Sequence, residues 1–321
     1  MKNLTYDETV RRIAALPAPE PRIVVSGNSA TPMTALHAVT ESRESCRVLQ
    51  INGRFDFSGH PGVLCETPFV GPGMRHSPRL DYLPMRLSLV PRLFDTVRPP
   101  DAVLVHTSVP RDGKVSLGIE VNILPAAIER VRARGGLVMA QLNPQMPYTY
   151  GASEVPIDSI DVALEVDEPL LSPTTESADD VAQVIGERVA RFAEDGSTLQ
   201  LGIGLIPALA AGHMASCRGL RVWSEMISDG VMELENAGAS IRTCPSAPPS
   251  SRGLPSCTGG RTGTSASRCC GRRRSTTPHA SPPTPACCRS TAPFRSISSP
   301  RRTRASSGGR STRGSGANPT S

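Results

Sequence analysis

Ala102-Val103-Leu104-Val105-His106 opens with four successive apolar residues and none of the polar alternation of a half-exposed strand. Such a run predicts a strand covered on both faces, the usual state of a strand in a parallel sheet. A loop from Thr107 to Gly118 follows, then a helix from about Val121 to Arg134 that Gly135-Gly136 bring to an end. Leu137-Val138-Met139-Ala140 reads as the next strand. Strand, crossover helix and strand in this order make a βαβ unit, so the fold class is α/β with a parallel sheet.

Working outward, Arg22-Ile23-Val24-Val25 and Val48-Leu49-Gln50-Ile51 are further strands. Between them lies the turn Ser26-Gly27-Asn28-Ser29-Ala30, with Thr31 as expected N-cap and Pro32 as first helical residue. Thr5-x-x-Glu8 is a capping box that starts a short helix with Val10, Ile13 and Leu16 on one face. Residues 58–80, rich in Gly, Pro and His, read as an extended loop. After a strand at Ile160 to Val166, the segment Pro169 to Thr175 reads as an interdomain linker. A second unit then begins, with a helix over 178–194 and a strand over 198–201. A helix over 207–215 and a strand over 220–223 follow. The expected organisation is a first α/β domain over 1–172, an incomplete second domain over 173–240 and a disordered tail over 241–321.

Composition changes abruptly near the second boundary. After Glu235 the chain has no Asp, Glu or Lys. Arg242 to Arg313 supply 14 of the 35 basic residues and none of the 29 acidic ones, leaving 21 against 29 in the rest. The overall charge of +6 therefore belongs to the tail, over an acidic body. Such a tail could hold nucleic acid or an anionic membrane without specificity. Against that, Phe294 is its one aromatic residue for base stacking, and it lacks Lys. No specific nucleic-acid or membrane partner is expected.

Six of the nine cysteines also lie in the tail, including the adjacent pairs Cys269-Cys270 and Cys287-Cys288, whose spacing is not that of a zinc site. No metal is expected. Cys46, Cys65 and Cys217 read as reduced, buried residues. With no apolar leader or span in the sequence, the cytoplasm is the default location.

Two motifs sit where parallel sheets place their ligands. Glu225 follows the strand Leu220-Arg221-Val222-Trp223, just ahead of a helix carrying Met232 and Leu234. It is either a reactive carboxylate or a cap for that helix. Gly202-Ile203-Gly204-Leu205-Ile206-Pro207 joins a strand to a helix whose start could hold an anion or an oxyanion. Gly27 and Asn28 have the same placement after the first strand. A tight turn explains either glycine loop equally well.

Four stretches, taken in order, resemble the acetyl-CoA hydrolase/transferase family, which includes acetate and 4-hydroxybutyrate CoA-transferases. They are His106-Thr107-Ser108-Val109-Pro110 with Val115-Ser116-Leu117-Gly118, then Asn143-Pro144-Gln145-Met146-Pro147, then Leu201 to Pro207, and Ser224-Glu225-Met226-Ile227-Ser228-Asp229-Gly230. The resemblance runs from about Ile23 to Gly238. It implies a two-domain CoA-transferase-like fold and makes Glu225 the catalytic nucleophile. Gly202, Gly204, Ile206, Pro207, Gly27 and Asn28 would lie along the acyl-CoA site. Coenzyme A would be a substrate exchanged between an acyl-CoA and a small carboxylic acid, with no further cofactor, and the resemblance suggests a homodimer. Were water to intercept the intermediate, the same site would be an acetyl-CoA hydrolase. A sugar-phosphate isomerase-like enzyme of the same general fold would lack Ser224 to Gly230.

The family continues beyond this glutamate to a Gly-rich loop that the tail does not show directly. A GC-rich codon choice for Arg313 to Thr320, read one nucleotide earlier, spells Ser-Gly-Phe-Gly-Gly-Gln-Pro-Asp, which resembles that loop. Arg289 to Ser298, shifted likewise, allows Ser-Val-Asn-Ser-Ala-Leu-x-Val-Asp-Leu. A one-nucleotide frameshift near residues 239–245 is therefore expected, and with it an impaired enzyme or a non-catalytic remnant.

Overall fold

The computed structural model describes residues 1–172, 179–202, 204–225 and 227–239, with 242–243 and 268–269. In chain order the first unit contains β1 (Lys2–Leu4), α1 (Tyr6–Ala14), β2 (Arg22–Val25), α2 (Met33–Ser42) and β3 (Cys46–Gln50). Next come β4 (Val63–Thr67), β5 (Leu80–Tyr82), α3 (Val90–Leu93), β6 (Ala102–Thr107), β7 (Lys114–Ser116) and α4 (Leu124–Ala133). It closes with β8 (Leu137–Leu142), β9 (Tyr150–Gly151), β10 (Glu154–Pro156) and β11 (Val162–Glu165). The second unit contains α5 (Asp180–Ala190), β12 (Thr198–Leu199), α6 (Leu205–Gly212), β13 (Arg221–Val222), α7 (Asp229–Asn236) and β14 (Arg242–Thr243). The last described strand, β15 (Arg268–Cys269), pairs in parallel with β9.

The main sheet has the order β1-β11-β8-β6-β2-β3-β4-β5, and every pairing in it is parallel. From β2 the chain moves outward through β3, β4 and β5, then returns to β6 on the other side of β2. The order therefore reverses between β2 and β6, and the crevice beyond their carboxyl ends is where such sheets hold ligands.

Alternation along each strand builds a core on both faces. Val24, Val103 and Val105 pack with Leu124, Ile128 and Val131 of α4. Ile23, Val25 and Leu104 pack on the other face with Ile13 of α1 and Leu36 and Val39 of α2. All six residues of β6 are buried, as its apolar run predicts. The capping box at Thr5 and Glu8 forms as expected.

Several expected boundaries move. Residues 58–80 are not one loop, because Val63–Thr67 pairs with β3 as a buried strand. Its polar Glu66 disguises the run, and Arg22 and Arg98 make that residue tolerable inside by pairing with it. Thr31 is not the N-cap of α2. Its hydroxyl donates to Asn28 O (2.8 Å) and accepts from Arg54 N (3.2 Å), so Pro32 takes the cap position and Met33 begins the helix.

In the second unit, β12 and β13 are two residues each and pair in parallel, with β14 on the far side of β13. Their core unites Leu199, Leu201, Ala210, Ala211, Leu220, Val222, Val231 and Leu234. Pro207 is the third residue of α6 rather than the first, still within the turn whose N–H groups have no helical partner. Most of the expected linker and the expected disorder of 241–321 lie outside the described residues. Arg242–Thr243 and Arg268–Cys269 nevertheless pair as strands.

Candidate active site

The second unit brings two of the sequence motifs together through one side chain that the sequence reading passed over. Ser224, at the end of β13, donates from Oγ to Leu201 O (2.9 Å) and accepts from Leu201 N (3.2 Å). With Trp223 N donating to Leu199 O, this fixes the loop carrying Glu225 against the loop that leads to α6. Glu225 thus stands three residues beyond β13, at the carboxyl edge, half-buried. It is not the cap of α7, whose N-cap position belongs to Ser228.

Gly204 is the N-cap of α6 with φ 113°, a conformation that side chains other than glycine rarely adopt. Gly202 and Gly204 are exposed, and Ile206 and Pro207 are half-buried in the first turn. The arrangement leaves backbone N–H groups of a helix start beside a carboxylate loop, a setting suited to an acyl oxygen or another anion.

The first unit places Gly27 and Asn28 at the end of β2, on the switch-point crevice. A Cβ at Gly27 would sit 1.8 Å from Ile51 O, so close backbone approach excludes any side chain there. Asn28 has φ 47° and is held at both ends of its amide. Its Nδ2 donates to Glu120 Oε2 (2.7 Å), while its Oδ1 accepts from Asn52 Nδ2 (2.6 Å). Glu120 is 1% exposed and also accepts from Asn122 Nδ2. Burial pushes its carboxyl up to about 7. The two asparagine bonds oppose this shift, and the charge of Glu225 adds to it.

His106 organises the floor of the same crevice. Its Nδ1 lies 3.2 Å from Ala30 O, and its Nε2 lies 3.2 Å from Asn143 Nδ2. These partners assign a neutral ring that donates from Nδ1 and accepts at Nε2. Burial lowers the imidazole to about 4, against the smaller opposing effect of the Ala30 carbonyl. Asn143 Nδ2 also donates to Glu168 O, and Gln141 Nε2 to Glu168 Oε1. Two of the sequence motifs, at 106–110 and 143–147, therefore meet through one hydrogen-bonded ring.

Glu120, Asn52, Asn122 and Ser224 were not singled out by sequence reasoning. An acid in the apolar stretch Leu117 to Leu124 was the available signal for Glu120. Nothing local marks Asn52. Among the described residues no three His, Cys, Asp or Glu gather as a metal site, and no helix is long and apolar enough to cross a membrane.

No family model matches the chain. It is 41% identical over 165 residues to a 4-hydroxybutyrate coenzyme A transferase of Clostridium kluyveri, covering 51% of this chain and 38% of that protein. Its homologues are CoA-transferases. A succinyl-CoA:acetate/propanoyl-CoA:succinate CoA transferase of Fasciola hepatica is 29% identical over 231 residues, covering 68% of this chain and 48% of its own length. The chain thus spans half or less of the curated CoA-transferases it matches. Among solved structures, a 4-hydroxybutyrate CoA-transferase from Porphyromonas gingivalis superposes with a TM-score of 0.60 at 27% identity, over 75% of this chain and 58% of that one. RipA from Yersinia pestis, at 19% identity, shares the fold with a TM-score of 0.73 over 83% of this chain and 67% of its own. The expected CoA-transferase-like α/β fold is borne out.

Proposed function

We propose that this chain carries the site of a CoA-transferase, with Glu225 as nucleophile. The observation that carries the reading is the double hydrogen bond of Ser224, which sets Glu225 beside the Gly202 to Pro207 turn at the carboxyl edge of the sheet. The relatives' names supply the reaction class.

A Glu225 oxygen attacks the thioester carbonyl of an acyl-CoA, expelling the CoA thiolate and leaving an acyl-glutamyl anhydride. The thiolate then attacks the glutamyl carbonyl, releases the donor carboxylate and leaves a glutamyl-CoA thioester. An acceptor carboxylate reverses both steps. Splitting the exchange in this way needs no metal. Gly202, Gly204, Ile206 and Pro207 line the approach on one side and Gly27 and Asn28 on the other. The protein acts on acyl-CoA and small carboxylic acids, with coenzyme A as substrate. Exclusion of water separates transfer from hydrolysis.

Incubation with acetyl-CoA followed by hydroxylamine should modify the peptide containing Glu225, and Glu225→Gln should abolish the adduct. A wild-type chain that bears no adduct would sink the reading.

We further infer that the frame changes near residues 239–245 and that turnover is low. In support, acidic residues stop at Glu235, close to Ala239, where the core of the second unit also ends among the described residues. The resemblance implies that the Gly-rich loop beyond Glu225 supplies backbone N–H groups near the thioester carbonyl, and losing one such donor costs about 2.7–4 kcal/mol of transition-state stabilisation. Sequencing the gene over codons 236–250 tests the frame, and an intact frame with no family-like alternative refutes it.

A further inference from the structure

Residues Val166 to Leu170 cross the carboxyl edge of the main sheet where its strand order reverses. The segment leaves β11, and Val166 N donates to Leu142 O (2.9 Å) at the end of β8. Gln145 Nε2 then donates to Asp167 Oδ1 (2.8 Å), and Asn143 Nδ2 to Glu168 O (2.8 Å). The Glu168 carboxylate bridges two elements. Its Oε1 accepts from Gln141 Nε2 of β8 (2.6 Å), and its Oε2 accepts from Thr34 Oγ1 in the first turn of α2 (2.8 Å). Leu170 ends the crossing against Ala30, Ile119 and Met146. From β11 the segment thus passes β8 and β6 to reach the turn after β2, as a strap over the switch point.

The strap bears on the turn that holds Gly27 and Asn28. Ala30 closes that turn, fully buried, with Leu170 packed on it. Gln141 is fully buried too, and its Oε1 accepts from Ala35 N (2.9 Å), so the amide that Glu168 holds also holds the start of α2.

We propose that Glu168 is a positioning residue of this site, whose carboxylate clasps the strap to β8 and α2 and so fixes the turn at Gly27 and Asn28 for the acyl-CoA. This rests on the transfer reading of Glu225. Without the carboxylate, Gln141 Nε2 keeps only His106 Nε2, at 3.5 Å, and the strap and the start of α2 lose their common anchor. The loop of Glu225 is tied separately, by Ser224 to Leu201. Binding and chemistry should therefore part, with the clasp setting how tightly acyl-CoA is held and not how fast bound acyl-CoA reacts.

The test follows the hydroxylamine-trapped adduct at Glu225 in the full chain over a range of acetyl-CoA. Glu168→Ala should raise the half-saturating concentration about tenfold and leave the rate at saturation within about twofold. Glu168→Gln should restore the wild-type value, since its Oε1 accepts from Gln141 and its Nε2 donates to Thr34 Oγ1. Thr34→Val, which removes one arm of the clasp, should give a smaller rise in the same direction. A glutamate that merely supports the fold would lower the amount of adduct without moving half-saturation, and that outcome overturns the proposal. So does an equal rise in Glu168→Ala and Glu168→Gln.

Absence of any adduct in the wild type overturns the transfer reading instead. Hydrogen exchange of the unliganded chain then decides the clasp. The Val166 and Ala35 amides should exchange faster in Glu168→Ala and in Thr34→Val, and at wild-type rates in Glu168→Gln. Rates unchanged in Glu168→Ala and Thr34→Val overturn it.

Discussion

Strands β6 and β13 both end at the site, and they are held very differently. β6 is six residues long, buried throughout and flanked along its length by β2 and β8. β13 is two residues long, with Arg221 half-buried, and has dipeptide strands on either side. The first unit can therefore bury a polar apparatus of Gln50, Glu120, Gln141, Asn143 and His106 at its carboxyl edge, where hydrogen bonds such as those of His106 to Ala30 and Asn143 offset the burial. The second unit contributes the proposed nucleophile, Glu225, from a loop that Ser224 ties to Leu201. A long buried strand on one side and a two-residue strand on the other would place the proposed chemistry beside the element with less sheet pairing to hold it.

The sharpest way to break the contrast is to empty each core in turn. Phe94 is fully buried in the first unit, and Phe94→Ala should cost about 3–5 kcal/mol. Leu234, equally buried, should cost about 2–5 kcal/mol on truncation to Ala. If the units open separately, hydrogen exchange should show the Leu234 loss in β12, β13 and α6 while β6 and β8 stay protected. Equal loss of protection in both units would mean that they unfold as one.

pH offers a second lever of nearly the same size. Glu120 binds its proton more tightly when folded, so its contribution to stability falls as pH rises from 4.5 to about 7. His106 binds its proton less tightly when folded, so its contribution rises between about 4 and 6.5. Each amounts to about 3 kcal/mol. The two oppose one another over their shared range, and the wild-type melting temperature should be nearly flat from pH 4.5 to 6.5. Glu120→Gln should expose the His106 slope, with stability climbing through that range. A flat profile in the variant would contradict the buried, neutral state of His106.

Ser224→Ala should have the smallest effect on global stability, about 2 kcal/mol for two hydrogen bonds. It should concentrate that loss at the site. The Leu201 amide should exchange faster and adduct formation at Glu225 should slow. Were Ser224 merely structural to the core, adduct formation would be untouched.

Much of the first unit was legible because its signals are local. The apolar run of β6, the Gly135-Gly136 stop and the Thr5 capping box each act within a few residues, and each forms. Strand β4 was hidden because Glu66 reads as surface until Arg22 and Arg98, far away in the chain, are seen beside it. The same logic divides the site. Glu225 and its glycine loop could be singled out from motif order, but Ser224 shows its role only when the end of β13 lies against Leu201.

By itself, then, the sequence determined an α/β chain of parallel strands, a candidate nucleophile at Glu225 and a break in composition after Glu235. Periodicity, turn residues and charge are properties of neighbours in the chain, and they survive without coordinates. Only the tertiary structure decided that β2 and β6 diverge to open the crevice, that Asn28 and Asn122 hold the buried Glu120, and that Asn52 holds Asn28 from its other side. The proton affinity of a carboxyl depends on lost water and on charges brought near by folding, and neither is written in the residues beside it.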